Sequence, residues 1–171
     1  MNAASGSEAG AVKSRTTVER TSDRDVVVTR TVNGPARLVF EAFTKADLFR
    51  RWWVPKSMGM KLLSCDMDAR VGGTYRLVFD HSPEPMAFHG TYVDVTPHSR
   101  LSWTNEEGGA AGPVTTVTFE EQGGRTLVML HERYPSKEAL DAAGTGAQDA
   151  MTETFGQLDE LLAELGKGAA R

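Results

Sequence analysis

The sequence contains a single cysteine, Cys65, among its 171 residues. One cysteine excludes an intrachain disulfide, leaves no second thiolate at zinc-ligand spacing, and is typical of a reducing compartment. Long hydrophobic runs are also missing, because no stretch reaches the roughly 18 apolar residues of a membrane span. The N-terminus lacks the apolar core of a secretory signal. We therefore expect a cytoplasmic protein with no membrane insertion and no bound metal.

Positive charge is scarce as well. Lys and Arg number 19 against 23 Asp and Glu, so the formal net charge is −4. No run of basic residues occurs, and the electrostatic footprint of a nucleic-acid partner is therefore missing. The sequence has no G-x-S-x-G, no P-loop and no G-x-G-x-x-G, which are the local signatures of serine hydrolases and of phosphate and dinucleotide sites. We predict no nucleic-acid partner and no cofactor.

The composition that remains, 40% hydrophobic and 25% charged, is that of an ordinary globular domain. Residues 1–23 consist of small, polar and charged residues with almost nothing to bury, and they are predicted to be a disordered leader. The folded domain should span residues 24–165. Residues 166–171 are predicted to be a flexible tail.

The period of the apolar pattern predicts the order of the elements. Asp25–Val32 is β-branched and strand-like, and residues 36–43 and 46–53 have the spacing of two short helices. About six short strands follow within residues 61–134, and residues 147–165 carry an apolar stripe of helical period. An antiparallel sheet of about seven strands with one apolar face needs a cover, which the long helix supplies. The predicted class is α+β.

Motifs along the folded part carry a family resemblance: Trp52-Trp53 followed by Pro55, the stretch DARVGG at 68–73, and Gly90 with Pro97, Leu101 and Trp103. In this order and spacing they resemble the SRPBCC (START-like) superfamily. Within it, the chain is similar to bacterial proteins that resemble the C-terminal domain of the activator of the heat-shock protein 90 ATPase. The resemblance covers roughly residues 25–165. It implies a helix-grip fold, in which a curved antiparallel sheet surrounds a long C-terminal helix and leaves a ligand cavity.

The candidate ligand-binding residues share apolar character and a predicted position facing that cavity: Phe40, Phe43, Trp53, Met58, Met67, Tyr75, Leu77, Phe79, His89, Val117, Phe119, Met151 and Phe155. Aromatic and methionine side chains suit an apolar or aromatic ligand better than a sugar or a phosphate. The same side chains are also ordinary core fillers. Strand alternation places His89 with Val93 and Val95 on the inward face, either as a hydrogen-bonded structural histidine or as a polar anchor or base.

Three functions agree with this sequence. The first is non-enzymatic binding of a small, largely apolar molecule between the sheet and the C-terminal helix. The second is a cyclase or dehydratase on a polyketide-like substrate, with His89 and Tyr75 as acid/base groups. The third, implied by the resemblance, is a chaperone-associated interaction protein that acts through a surface patch. A homodimer is a further alternative, in which two chains pair through an exposed strand edge.

Overall fold

The computed structural model describes residues 15–106 and 112–169. The first part of the predicted leader, residues 1–14, and the last two residues of the predicted tail lie outside the described residues. Eight strands form one curved antiparallel sheet in the order β1-β2-β8-β7-β6-β5-β4-β3. The strands are β1 Thr17–Arg20, β2 Asp25–Val32, β3 Leu62–Met67, β4 Thr74–Phe79, β5 Met86–Thr96, β6 Arg100–Thr104, β7 Val114–Gln122 and β8 Arg125–Arg133.

Strand β1 lies inside the segment for which the sequence predicts disorder. It pairs antiparallel with β2, from Thr17 opposite Thr29 to Arg20 opposite Val26. The prediction of a disordered leader is therefore wrong for this stretch. The stretch has only one apolar side chain, Val18, which packs against the core. Backbone pairing with the edge of β2 and the ion pair of Arg20 with Asp141 add to the stabilisation, and neither can be inferred from the composition of the leader.

The helices cover the inner face of the sheet. They are α1 Ala36–Thr44, α2 Ala46–Phe49, α3 Lys137–Ala143, α4 Gly146–Asp149 and α5 Met151–Ala169, with a 3-10 turn at Lys56–Met58. Helix α5 continues past Leu165, so the predicted flexible tail is wrong for residues 166–169. Within the described chain, none of the helices combines the length and the hydropathy that a bilayer-spanning segment requires.

Helix α5 is the cover that the apolar sheet face requires. Its buried residues include Phe155, Leu158 and Leu162, which follow one another at helical spacing along one stripe. The helix packs on β2 and α1. Val28 on β2 is fully buried, and so, almost completely, are Val117 and Leu130 on β7 and β8, the strands that α1 contacts. The predicted helix-grip arrangement is confirmed, with eight strands in place of about seven because β1 extends the edge.

Candidate functional site

The two adjacent tryptophans in the turn that follows α2 have different environments. Trp52 is fully buried, donates from Nε1 to the Ala42 carbonyl oxygen at 2.9 Å, and stacks on Phe155. Trp53 is half-buried and stacks on Phe49 with the ring centroids 4.7 Å apart. Neighbouring residues on a helical turn point about 100° apart, so one indole enters the core and the other does not. Trp53 is left beside an internal space.

That space is a cavity of about 510 Å³, bounded by the inner face of the sheet, the 53–60 segment and the start of α5. A volume of roughly 300–1,000 Å³ is usual for small-molecule sites. The wall is mainly aromatic and aliphatic. Met58, which is 57% exposed, belongs to the wall as well and places the mouth of the cavity at the 3-10 turn.

Most of the candidate residues from the sequence lie on this wall. They are Phe43, Trp53, Met58, Met67, Tyr75, Leu77, Phe79 and Met151. Tyr75, Leu77 and Phe79 share one face of β4 because alternate residues of a strand point the same way. The structure brings them opposite the start of α5, where Met151 closes the other side.

Four other candidates lie in the solid core behind the wall: Phe40, Val117, Phe119 and Phe155. The Phe119 ring makes edge contacts with Phe40 and Phe43 at centroid distances of 5.6 and 5.3 Å. Phe155 is fully buried against Trp52. Their predicted position at the cavity is therefore wrong. Burial and apolar character are common to core and wall, and the sequence pattern does not separate them.

His89 also lies away from the wall, because the strand β5 has the opposite alternation to the predicted one. Its register partner is Arg76, an exposed residue of β4, whereas the buried Leu77 of β4 pairs with Phe88. Paired residues share a face of the sheet, so Phe88 points inward and His89 outward. A register shift between Tyr92 and Asp94 then reverses the alternation further along β5. The predicted inward position of His89 is wrong for this reason.

One end of the cavity is polar and is built by β7, β8 and the turn into α5. Glu132 lies on the wall, and its carboxylate accepts hydrogen bonds from the Thr115 hydroxyl at 2.8 Å and from Gln148 Nε2. Gln148 is only 1% exposed, and it also donates to the Tyr134 hydroxyl at 3.0 Å. Burial raises the pKa of the Tyr134 phenol, against the opposing effect of the Gln148 hydrogen bond. The carboxylate is thus held in a fixed position.

A second polar group lies beside the first. Asn105 donates from Nδ2 to the Pro113 carbonyl oxygen at 2.8 Å and to the Thr115 hydroxyl at 3.0 Å. The Tyr75 hydroxyl lies 2.9 Å from the Thr104 carbonyl oxygen, to which it donates. These bonds fix Asn105 and Tyr75 at the wall and occupy both amide hydrogens of the asparagine.

The segment that carries Trp53 and Met58 is tied to α5 by two side chains one helical turn apart. Gln157 donates from Nε2 to the carbonyl oxygens of Trp52 and Val54, each at 2.8 Å, and accepts from the Lys56 amide. Glu153 accepts from both the amide and the hydroxyl of Ser57. These hydrogen bonds, led by that of the hydroxyl, hold the pKa of Glu153 below its usual value. One wall of the cavity is thereby anchored to the helix.

Ser22, Asp25 and His131 come together on the outer face of the sheet but do not form a nucleophile–base pair. The Ser22 hydroxyl donates to Asp25, and His131 Nε2 lies 2.7 Å from the other oxygen of the same carboxylate. The hydroxyl of a serine nucleophile must form a hydrogen bond with the imidazole that takes its proton. Here the Ser22 hydroxyl and the His131 imidazole each bond to the Asp25 carboxylate instead. No group of three His, Cys, Asp or Glu side chains in the described ranges is arranged to hold a metal ion.

Sequence reasoning missed several wall residues, which include Phe49, Phe88, Tyr92, Trp103, Asn105, Glu132, Tyr134 and Thr154. A signal for Phe88 and Tyr92 was present, since aromatic residues occupy the alternate positions to His89 in β5. The sequence does not indicate Glu132, because Leu127 and Met129 on one face of β8 are as apolar as the residues on the other. Glu132 reaches the cavity because its β8 alternation continues that of the buried Val128 and Leu130.

The overall structure is similar to those of several solved bacterial proteins. A protein from Rhodobacter sphaeroides is 21% identical with a TM-score of 0.77, and the match covers 88% of this chain and 99% of that one. One from Nitrosomonas europaea is 21% identical with a TM-score of 0.75, covering 86% and 99%. An AHSA1-like protein from Aeromonas hydrophila is 18% identical with a TM-score of 0.63, covering 78% and 92%. At these identities the likeness establishes a shared fold.

Sequence comparison identifies the family. No curated protein shows significant sequence similarity to this chain. The model of one family, described as Activator of Hsp90 ATPase homolog 1-like protein, matches residues 33–163. That range contains α1, α2, the strands from β3 to β8 and most of α5, and with them every residue of the cavity wall described above. The chain belongs to the family of Activator of Hsp90 ATPase homolog 1-like proteins.

Proposed function

We propose that this protein binds a small, largely apolar or aromatic molecule in the cavity between the sheet and α5, without transforming it. The observation that carries the proposal is the cavity of about 510 Å³ with its wall of aromatic and methionine side chains. A well-packed core has few voids larger than a water molecule, so this volume is not a packing defect. Its predominantly apolar lining favours an apolar guest.

The anchoring of the wall supports the same proposal. Gln157 and Glu153 hold the 52–58 segment against α5, and Trp53 is fixed by its stack on Phe49. A wall fixed before the ligand arrives avoids the entropic cost of ordering side chains on binding. The half-buried Trp53 indole would provide both contact area and a fluorescent signal of occupancy.

The experiment is a titration with the apolar dye N-phenylnaphthylamine, followed by dye fluorescence. We expect saturable binding to the unaltered protein. In Ala150→Phe a large side chain is added at the cavity wall, and the dye affinity should fall at least about tenfold because the guest and the new ring compete for one volume. Met129 is 40% exposed and lies on the opposite face of the sheet. Met129→Ala removes an apolar side chain there and should leave the dye affinity unchanged.

Thermal unfolding of the three proteins verifies that each is folded. Absence of saturable dye binding to the unaltered protein would refute the proposal. Equal affinities of the unaltered protein and Ala150→Phe would do the same, because the dye would then be bound elsewhere. A loss in Met129→Ala equal to that in Ala150→Phe would point to the outer surface.

A second candidate function is contact with a chaperone, which the name of the family favours. It predicts that the purified protein changes the ATPase rate of a bacterial Hsp90. Ala150→Phe, which alters the cavity and leaves the outer face intact, should keep that effect. No change in the ATPase rate at saturating protein would reject this candidate.

The residue expected to act as the base in the enzymatic alternative does not face the cavity. His89 is on the face of the sheet away from the cavity, with Arg76 as its neighbour across β4. The Tyr75 hydroxyl, the other expected acid/base group, donates to a backbone carbonyl oxygen. The acid and base of the sequence hypothesis therefore do not face a common substrate position, and binding is the function that the geometry supports best.

A further inference from the structure

The polar end of the cavity places a carboxylate in an otherwise apolar wall. Glu132 is half-buried, and among the described residues it is the only Asp, Glu, Lys, Arg or His that contributes to the wall. Within residues 15–106 and 112–169, the ion pairs of the structure join other carboxylates to their partners and none includes Glu132. Among these residues, no Lys, Arg or His side chain forms an ion pair with the carboxylate of the cavity.

The hydrogen bonds to Glu132 leave part of its capacity open. A carboxylate has about four acceptor positions, and Thr115 and Gln148 occupy one on each oxygen. Both donors are neutral, so they orient the carboxylate without neutralising it. Gln148 is itself fixed by Tyr134, and Thr115 by Asn105. The Glu132 carboxylate is therefore fixed in orientation, and two of its acceptor positions remain.

Removal of a carboxylate from water is unfavourable unless another charge or several hydrogen bonds replace the lost hydration. An apolar guest that fills the cavity would exclude water from Glu132. A guest with a protonated amine at that end would replace the water by a charge-assisted hydrogen bond, which is stronger than a neutral one. A guest with a carboxylate would place two like charges together.

We propose that the ligand is an amphipathic amine, with an aromatic or aliphatic body in the apolar part of the cavity and an ammonium group on Glu132. This inference deepens the binding function proposed above and rests on it. Glu132 is then the specificity-determining residue of the site, and the aromatic wall supplies the non-directional part of the affinity.

The test compares three probes with the same ring: naphthylethylamine, naphthylethanol and naphthylacetate, measured by isothermal titration calorimetry at neutral pH. The amine should bind at least about tenfold more tightly than the alcohol, and naphthylacetate most weakly. In Glu132→Gln the amine should lose about tenfold in affinity while the alcohol is unaffected. Gln can accept from Gln148 as Glu does, and the Thr115 hydroxyl can turn to accept from the new amide, so the fold should persist.

Glu120→Gln is the matched control, since it removes the same charge from an exposed position of β7. It should leave all three affinities unchanged. Equal binding of the amine and the alcohol to the unaltered protein would overturn the inference while the binding function stood, and this comparison needs no variant to fold. An equal loss in Glu120→Gln and Glu132→Gln would also overturn it. Absence of binding of all three probes would remove the amine proposal, and the dye titration would then decide the binding function separately.

Discussion

Replacement of Gln157 by alanine should destabilise the protein and loosen one wall of the cavity. The side chain is 8% exposed and makes three hydrogen bonds, each of 2.8 Å, to the backbone of the 52–56 stretch. Each bond of this kind contributes about 1 kcal/mol net. Alanine recovers a few tenths of a kcal/mol through its helix propensity. We therefore expect a loss of about 2–3 kcal/mol in the free energy of unfolding.

Urea and thermal unfolding measure this loss. For a domain of this size, about 2–3 kcal/mol corresponds to a decrease in Tm of about 5–10 °C. Glu160→Ala is the control, because Glu160 is exposed on the same helix, and it should change the free energy of unfolding by less than about 0.5 kcal/mol. The affinity for N-phenylnaphthylamine should fall in Gln157→Ala and persist in Glu160→Ala.

Gln157→Glu separates hydrogen bonding from packing. It keeps the side-chain volume and the acceptor for the Lys56 amide, but it places a carboxylate oxygen against the carbonyl oxygens of Trp52 and Val54. We expect it to be at least as destabilising as alanine near neutral pH, because the two carbonyl oxygens then face a carboxylate oxygen and no hydrogen-bond donor lies between them. A cost below about 1 kcal/mol for both variants would refute the role assigned to Gln157.

Two further predictions concern glycines and acid stability. Gly90→Ala would put a Cβ atom 1.9 Å from the Thr104 carbonyl oxygen and should cost about 3 kcal/mol, whereas Gly156→Ala in α5 meets nothing within 4 Å and should stabilise by about 0.5–1 kcal/mol. Urea unfolding of both variants checks the signs, and a neutral Gly90→Ala would contradict the register of β5. The pKa of Asp25 is lowered, first by the Ser22 hydroxyl, so its contribution to stability is present above its ordinary pKa and is lost as the pH falls through the lowered one. Below about pH 4 the stability of Asp25→Asn should depend less on pH than that of the unaltered protein, and parallel curves would exclude this role.

The order of the elements followed from the sequence because each element has its own apolar period. The stripe of α5 and the alternation of β4 both indicate which side is buried, and a sheet with one apolar face requires a cover. The sequence did not predict the edge strand β1, because its four residues include only one apolar side chain and become ordered by pairing with the backbone of β2. The ends of α5 were also misplaced, because helix ends depend on local hydrogen bonds more than on burial.

The sequence predicted only part of the candidate site. For Tyr75, Leu77 and Phe79, the alternation within a single strand was sufficient to place them on the wall. For His89 the same rule gave the wrong face, because β5 contains a register shift and both of its faces carry partly apolar side chains. Glu132 was missed because both faces of β8 carry apolar side chains, and only the packing of β8 with β7 and α4 decides which face borders the cavity.

The sequence by itself determined an antiparallel sheet, a long covering helix and an interior rich in aromatic and methionine side chains. Only the tertiary structure decided which of those side chains fill the core and which border an open volume. Trp52 and Trp53 show the reason, since adjacent and identical residues have different roles. Periodicity reports which face of an element leaves water. A cavity depends on how several such faces fit together, and that fit is a property of the assembled elements.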